Sequence, residues 1–132
     1  MSPDNYDSYI TEDDVWSQVI ADKSATEGHP VLFLDRDGAI VEEVNYLHRP
    51  EDIDFIPGAI EVIRKANQLE IPVVIVTNQA GIGRQYYNWS HFIEVQKKIL
   101  TVLFDEGASI DGVFACPHHI DARAPYFHKD HP

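Results

Sequence analysis

Continuous apolar runs and helix-spaced apolar stripes alternate along this chain. Val31-Leu-Phe-Leu34 lies between Pro30 and the polar turn Asp35-Arg-Asp-Gly38, and Ile71-Pro-Val-Val-Ile-Val76 and Asp111-Gly-Val-Phe-Ala-Cys116 repeat the pattern. Short unbroken apolar runs bounded by turn formers predict strands buried on both faces of a parallel sheet. Between them, Ile60, Val62, Ile63, Ala66 and Leu69 follow Pro57 and Gly58 at helical spacing. Phe92, Val95, Ile99, Leu100, Val102 and Leu103 follow the capping residues Asn88 and Ser90, with Gly107 as a stop signal. The order strand, helix, strand, helix, strand, with crossovers long enough for right-handed parallel connections, predicts an α/β doubly wound, Rossmann-like domain with three α/β/α layers.

Two further segments carry weaker patterns. Thr11 followed by Glu12, Asp13 and Asp14 has the composition of a helix N-terminus, and Val15, Trp16, Val19 and Ile20 form an apolar stripe behind it. They predict a short docking helix over about 12–21, so residues 1–28 are expected to be an acidic tail with that helix and 29–132 the main domain. The insert from Ala39 to Phe55, with Val41, Val44, Tyr46 and Leu47, predicts a small hairpin flap and no large cap domain.

Composition narrows the function classes. With 132 residues and 44% hydrophobic content the chain supports one core. No apolar run approaches the roughly 18 to 20 residues of a membrane span. The polar, acidic start lacks the character of a secretory signal, and the single cysteine, Cys116, fits a reducing compartment; the expected location is the cytoplasm. A net charge of -12, from 10 Lys+Arg against 22 Asp+Glu, argues against nucleic acid or an anionic membrane as partner. An anionic small molecule is then held only through a metal ion or a local basic group.

Ligands in open α/β sheets bind beyond the carboxyl ends of the strands, which selects three loops. In the first, Asp35 and Asp37 stand two positions apart, so in extended backbone both point to one side. Paired carboxylates repel one another and favour a bound divalent cation. Taken alone, Asp-x-Asp-Gly fits a turn better than a site, and it is no calcium loop, because Ala39 and Tyr46 stand where further oxygen ligands are needed. The second loop, Thr77-Asn-Gln-Ala-Gly-Ile-Gly-Arg84, offers a hydroxyl, two amides, glycines and a guanidinium suited to a phosphoryl group. A surface loop with a solvated Arg84 is the alternative. Together, paired carboxylates and a Thr-Asn loop on successive strand ends point to phosphoryl chemistry.

Phe33-Leu-Asp-Arg-Asp-Gly-Ala-Ile40, Val76-Thr-Asn-Gln-Ala-Gly-Ile-Gly-Arg84 and Cys116-Pro-His-His119 resemble the haloacid dehalogenase-like (HAD) phosphatases, within them the heptose 1,7-bisphosphate 7-phosphatase and histidinol-phosphatase group. The resemblance spans about residues 31–119. It implies that Asp35 is the nucleophile that forms an aspartyl-phosphate, and that Asp37 is the acid and base. It further implies Mg²⁺ on the Asp35 carboxylate and the Asp37 carbonyl, and a phosphoryl oxygen on Thr77. Thr77, Asn78, Gln79 and Ala80 would line the substrate pocket, joined by Glu43, Val44, Asn45 and Tyr46 from the flap. The partner is then a small phosphorylated substrate.

The chain departs from that pattern in several places. Val41 stands where Asn is usual, and Gly83 and Gln85 where Ala and Gly are common. The downstream Arg-Lys-Pro and acidic motifs are absent, and Lys129, the one late lysine, does not stand in such a motif, so a C-terminally incomplete domain is expected. Without the later strand, Val31–Leu34 is expected to form an exposed apolar edge. Cys116 and His118 match half of a structural zinc site that His128 and His131 would have to complete; the incomplete spacing favours a buried cysteine beside surface histidines. Tyr86, Tyr87 and Trp89 are read as packing residues. A non-catalytic phosphate-binding domain is the alternative from another class. A dehalogenase, which needs no acid at position 37, is disfavoured.

Overall fold

A computed structural model describes residues 6–21, 28, 30–119 and 122. The elements are a 3₁₀ turn (Tyr6–Tyr9), β1 (Trp16–Val19), β2 (Leu32–Leu34), a second 3₁₀ turn (Pro50–Asp52), α1 (Ala59–Gln68), β3 (Val73–Asn78), the single-turn α2 (Ala80–Gly83), α3 (Trp89–Asp105) and β4 (Gly112–Cys116). One sheet in the order β1-β4-β3-β2 joins the strands. β2 and β3 are parallel, as are β3 and β4, with Leu34 opposite Ile75 and Thr77 opposite Ala115. This is the α/β order expected from the apolar runs.

Each main helix has a local cause. Gly58, at a φ of 89°, turns the chain into α1, whose Ala59, Ile63 and Ala66 face the core. Asn88 caps α3: its side chain accepts from the amides of Ser90 and His91, while the His91 ring accepts from the Asn88 amide. That closes a reciprocal capping box on two otherwise orphaned donors.

Both helices pack on the same side of the sheet, where Ile63, Phe92, Val95, Ile99 and Leu103 meet Val73, Ile75, Val113 and Ala115. The alternate strand positions Phe33, Val74, Val76 and Phe114 share the opposite face, on which Phe33 is 65% and Val76 47% exposed. Among the described residues β2 is the end strand, the edge expected of Val31–Leu34. A buried carboxylate fixes the other end of the sheet. The Asp111 carboxylate accepts from the amide of Val73 (2.7 Å), its own amide donates to the Val73 carbonyl, and its carbonyl accepts from the amides of Ile20 and Ala21.

The helix expected over 12–21 is instead a turn and a strand. Asp14 adopts a left-handed φ of 60°, and Thr11, the expected cap, exchanges bonds with Asp14 and Val15 to close a reverse turn between Ile10 and Trp16. Trp16–Val19 then runs antiparallel to β4. An isolated helix of ten residues is marginal in water, whereas the open edge of β4 offers a ready ladder to aromatic and β-branched residues. Trp16 is wholly buried, 5.2 Å from the Phe92 ring, while Val19 and Ile20 are left exposed.

The insert after β2 is a pinned flap. Val41 pairs antiparallel with Phe55, Glu42 bonds Asp54, and Ile40, Val41 and Leu47 are buried beneath it. No helix among the described residues is long and apolar enough to cross a membrane.

The one-sided core gives a stability contrast. Phe92→Ala should cost about 3–5 kcal/mol, because it empties the junction of α3 with Trp16. Phe33→Ala should stay within about 0.5 kcal/mol. Urea unfolding of both variants measures the difference, and a large loss for Phe33→Ala would mean that the exposed face is covered.

Candidate active site

The first strand end owes its form to alternation. Asp35 leaves β2 exposed to solvent, Arg36 turns into the protein and Asp37 emerges again, half-buried. Gly38, at a φ of 92°, then reverses the chain so that its amide reaches the Val41 carbonyl at 2.7 Å. One Asp35 carboxylate oxygen accepts the Arg36 amide at 2.8 Å. The Arg36 guanidinium is 2% exposed, lies 5.6 Å over the Phe92 ring, and holds Asp37 as a fork: Nε to Oδ1 at 3.1 Å and Nη2 to Oδ2 at 3.0 Å.

The second strand end meets this pair from the side. Gln79 is anchored by its own amide to the Cys116 carbonyl at 2.7 Å. Its side-chain Nε2 donates to Asp37 Oδ2 at 3.2 Å and to Thr77 Oγ1 at 2.9 Å, and its Oε1 accepts the Tyr87 hydroxyl. Burial pushes the Tyr87 phenol up to about 12; the Arg36 charge opposes that shift and the Asp37 charge adds to it. Arg36, Thr77, Gln79 and Tyr87 are all buried.

A cleft of about 420 Å³ opens above these groups, lined by Asp35, Asp37, Glu43, Val44, Asn45, Tyr46, Leu47, Asn78, Gln79, Ala80, Gly81 and Tyr87. The two aspartates, residues 43–46 of the flap and residues 78–80 are thus brought together around one cleft. Two expected residues stand outside the lining. Thr77 lies below the wall, taken up by Gln79. Arg84 donates to the Tyr46 hydroxyl at 2.8 Å and sits 5.1 Å over the Tyr86 ring, so it braces the flap. The flap is held further by Tyr46 against Tyr86 (4.6 Å) and by His48 stacked on Tyr87 (5.6 Å). The lining carries three carboxylates and no basic side chain.

Sequence reasoning missed Arg36 and gave Tyr87 to packing. The signal for Arg36 was present: if positions 35 and 37 face out, position 36 faces in, and a buried guanidinium must be paired. Tyr87 had no such signal, because its hydroxyl finds Gln79 only through the fold.

At the third strand end, Cys116 is half-buried and burial pushes its thiol up. His118 is buried with Nε2 at 2.7 Å from the Asp13 carbonyl, to which that nitrogen donates. Among the described residues no group of three or more His, Cys, Asp or Glu side chains stands ready to hold a metal ion. His128 and His131, needed for the zinc reading, lie outside the described residues.

No family model matches the sequence. The chain is 41% identical over 123 residues to the D-glycero-β-D-manno-heptose-1,7-bisphosphate 7-phosphatase of Mesorhizobium japonicum, a match covering 93% of this chain and 57% of that protein. The D-glycero-α-D-manno-heptose-1,7-bisphosphate 7-phosphatase of Photorhabdus laumondii is 40% identical over 100 residues, covering 76% and 55%. A crystal structure of a HAD-like phosphatase from Mesorhizobium loti superposes with a TM-score of 0.88 at 40% identity, over 94% of this chain and 59% of that one. The heptose 1,7-bisphosphate phosphatase of B. bronchiseptica, complexed with magnesium and phosphate, superposes at 0.67 with 27% identity, over 74% and 57%. The chain spans little more than half the length of the curated relatives it matches. Over that shared half its sequence and its fold are similar to those of haloacid dehalogenase-like phosphatases.

Proposed function

We propose that this chain carries the phosphoryl-transfer centre of a Mg²⁺-dependent phosphatase for a sugar bisphosphate of the heptose 1,7-bisphosphate kind. The observation that carries the proposal is the exposed Asp35 carboxylate at the cleft, with Asp37 held beside it by Arg36 and Gln79. An Asp35 oxygen attacks phosphorus, and the ester oxygen leaves with a proton from Asp37. Asp37 then takes a proton from water, whose oxygen attacks the aspartyl-phosphate, releasing inorganic phosphate and restoring Asp35.

The donor set fits a divalent cation. Asp35 has one oxygen fixed by an amide and one open, and the main-chain carbonyl of Asp37 accepts no hydrogen bond among the described residues. Two hard oxygens suit Mg²⁺, which keeps its other positions for water and phosphate. When bound, the cation offsets phosphoryl charge in a cleft whose walls are acidic. Glu43, Asn45 and Asn78 line the cleft and supply acceptors and donors for the sugar hydroxyls, which the flap shields from bulk water.

With Mg²⁺ present, phosphate release from heptose 1,7-bisphosphate should exceed that from histidinol phosphate in a phosphate-detection assay. Asp35→Asn should lower turnover at least about a thousand-fold. Chelation by EDTA should abolish the activity and added Mg²⁺ restore it. Calorimetric phosphate binding by a folded chain that turns over none of these esters would identify a binding domain and defeat the proposal.

Gly81→Ala probes the wall. A Cβ there would be driven into the Tyr87 ring and come within 2.8 Å of Tyr46 Cδ1. Displacing both rings should raise KM about tenfold, equivalent to about 1.4 kcal/mol of lost binding. Steady-state kinetics check this, and an unchanged KM would mean that the rings do not shape the bound state.

A further inference from the structure

Gln79 borders the cleft, yet it is only 2% exposed and its amide is fully engaged: both Nε2 hydrogens are donated and Oε1 accepts. Its orientation is dictated from both ends. Turning the amide over would set Oε1 against the Asp37 carboxylate, acceptor facing acceptor. It would also leave the Tyr87 hydroxyl hydrogen without the oxygen it now meets. Burial pushes the Tyr87 phenol up to about 12, so at neutral pH its hydroxyl keeps the proton that it donates to Oε1. A donor on Oε1 polarises the amide and strengthens both hydrogen bonds that Nε2 donates.

Asp37 is the end of this chain of bonds. An ionised carboxylate has about four acceptor positions. Arg36 Nε, Arg36 Nη2 and Gln79 Nε2 fill three of them, leaving one toward the cleft for the proton that moves.

We propose that Tyr87 and Gln79 are positioning residues for Asp37: the Tyr87 hydroxyl locks the Gln79 amide, and the amide, with Arg36, holds the Asp37 carboxylate in one orientation with a single acceptor position open. Gln79 then makes no bond to the substrate, in contrast to the pocket-lining role that the sequence resemblance implies. The proposal rests on Asp37 as the acid and base of the reaction above. It adds to that reading a residue, Tyr87, that acts through another.

Tyr87→Phe isolates the hydroxyl, because the ring still stacks on His48. In steady-state kinetics with heptose 1,7-bisphosphate, kcat should fall roughly tenfold with KM unchanged, since a misplaced acid or base loses rate without losing binding. Gln79→Glu, which sets a carboxylate against Asp37, should lose roughly a hundredfold, again in kcat. The same 132-residue chain, ¹⁵N-labelled, gives a readout independent of turnover. The Gln79 side-chain amide and the Arg36 Nε–H should exchange slowly with solvent in the wild type and about tenfold faster in Tyr87→Phe, while the core amides of Ile75 and Val113 keep their protection.

Faster exchange at both groups together with a kcat loss supports the proposal. Unchanged exchange overturns it, as does faster exchange with kcat unchanged, which would make the bonds structural only. If the wild-type chain turns over none of the phosphate esters, the proposed function is what has failed. The exchange arm then decides the lock alone: acceleration at Gln79 and Arg36 upholds it and its absence overturns it.

Discussion

A buried guanidinium paired with one of two aspartates, Asp37, is the constraint on which the site depends. Extended backbone makes neighbours point to opposite sides, so a chain that presents Asp35 and Asp37 to a cleft must send Arg36 inward. Burying that charge is tolerable only with a partner in good geometry, and Asp37 supplies it as a two-bond fork. The same fork takes up the acceptor capacity that would otherwise make Asp37 an interchangeable twin of Asp35. One carboxylate is left open and the other is held, and two chemically identical groups become suited to different tasks.

The sheet makes that division reproducible. β2 and β3 are held in register, so the Asp35 loop and the Thr77–Arg84 loop emerge side by side. The Gln79 amide is tied to Cys116 at the end of β4, which brings the third strand end under the same cleft. α3 does double duty here: Phe92, the residue under the Arg36 guanidinium, is also the one that receives Trp16 from β1. The distant edge strand and the loop that carries Asp35 and Asp37 thus share one aromatic ring.

Much of this was legible in the sequence, for a physical reason. The three parallel strands are continuous apolar runs that no helix period explains, and α3 carries its own cap in Asn88, so these elements needed no tertiary information. The aspartate pair and the cleft-facing flap residues follow from strand ends and alternation. What stayed hidden depends on contacts far apart in sequence. Val15, Trp16, Val19 and Ile20 fit a helix as well as a strand, and the unpaired edge of β4 decided between them. Arg84 has the chemistry of a phosphate ligand, but the flap puts the Tyr46 hydroxyl in its reach. Gln79 looked like a cleft amide until Thr77, Asp37 and Tyr87 were seen to use all of it.

The charge balance then limits how a phosphate can enter. The cleft wall carries Asp35, Asp37 and Glu43, and the nearby cations are already engaged, Arg36 by Asp37 and Arg84 by Tyr46 and Tyr86. In a chain of net charge -12 the long-range field also repels an anion. Attraction must therefore be local and come with the ligand, which is the situation of a phosphate that arrives with a divalent cation. On the proposed function, engaging both arginines internally would make the cleft selective: an anion without a metal ion would meet three carboxylates, whereas a metal-bound phosphoryl group would meet an open carboxylate and an open carbonyl that suit the metal. On that reading the acidity of the cleft would restrict its use to metal-bound phosphate.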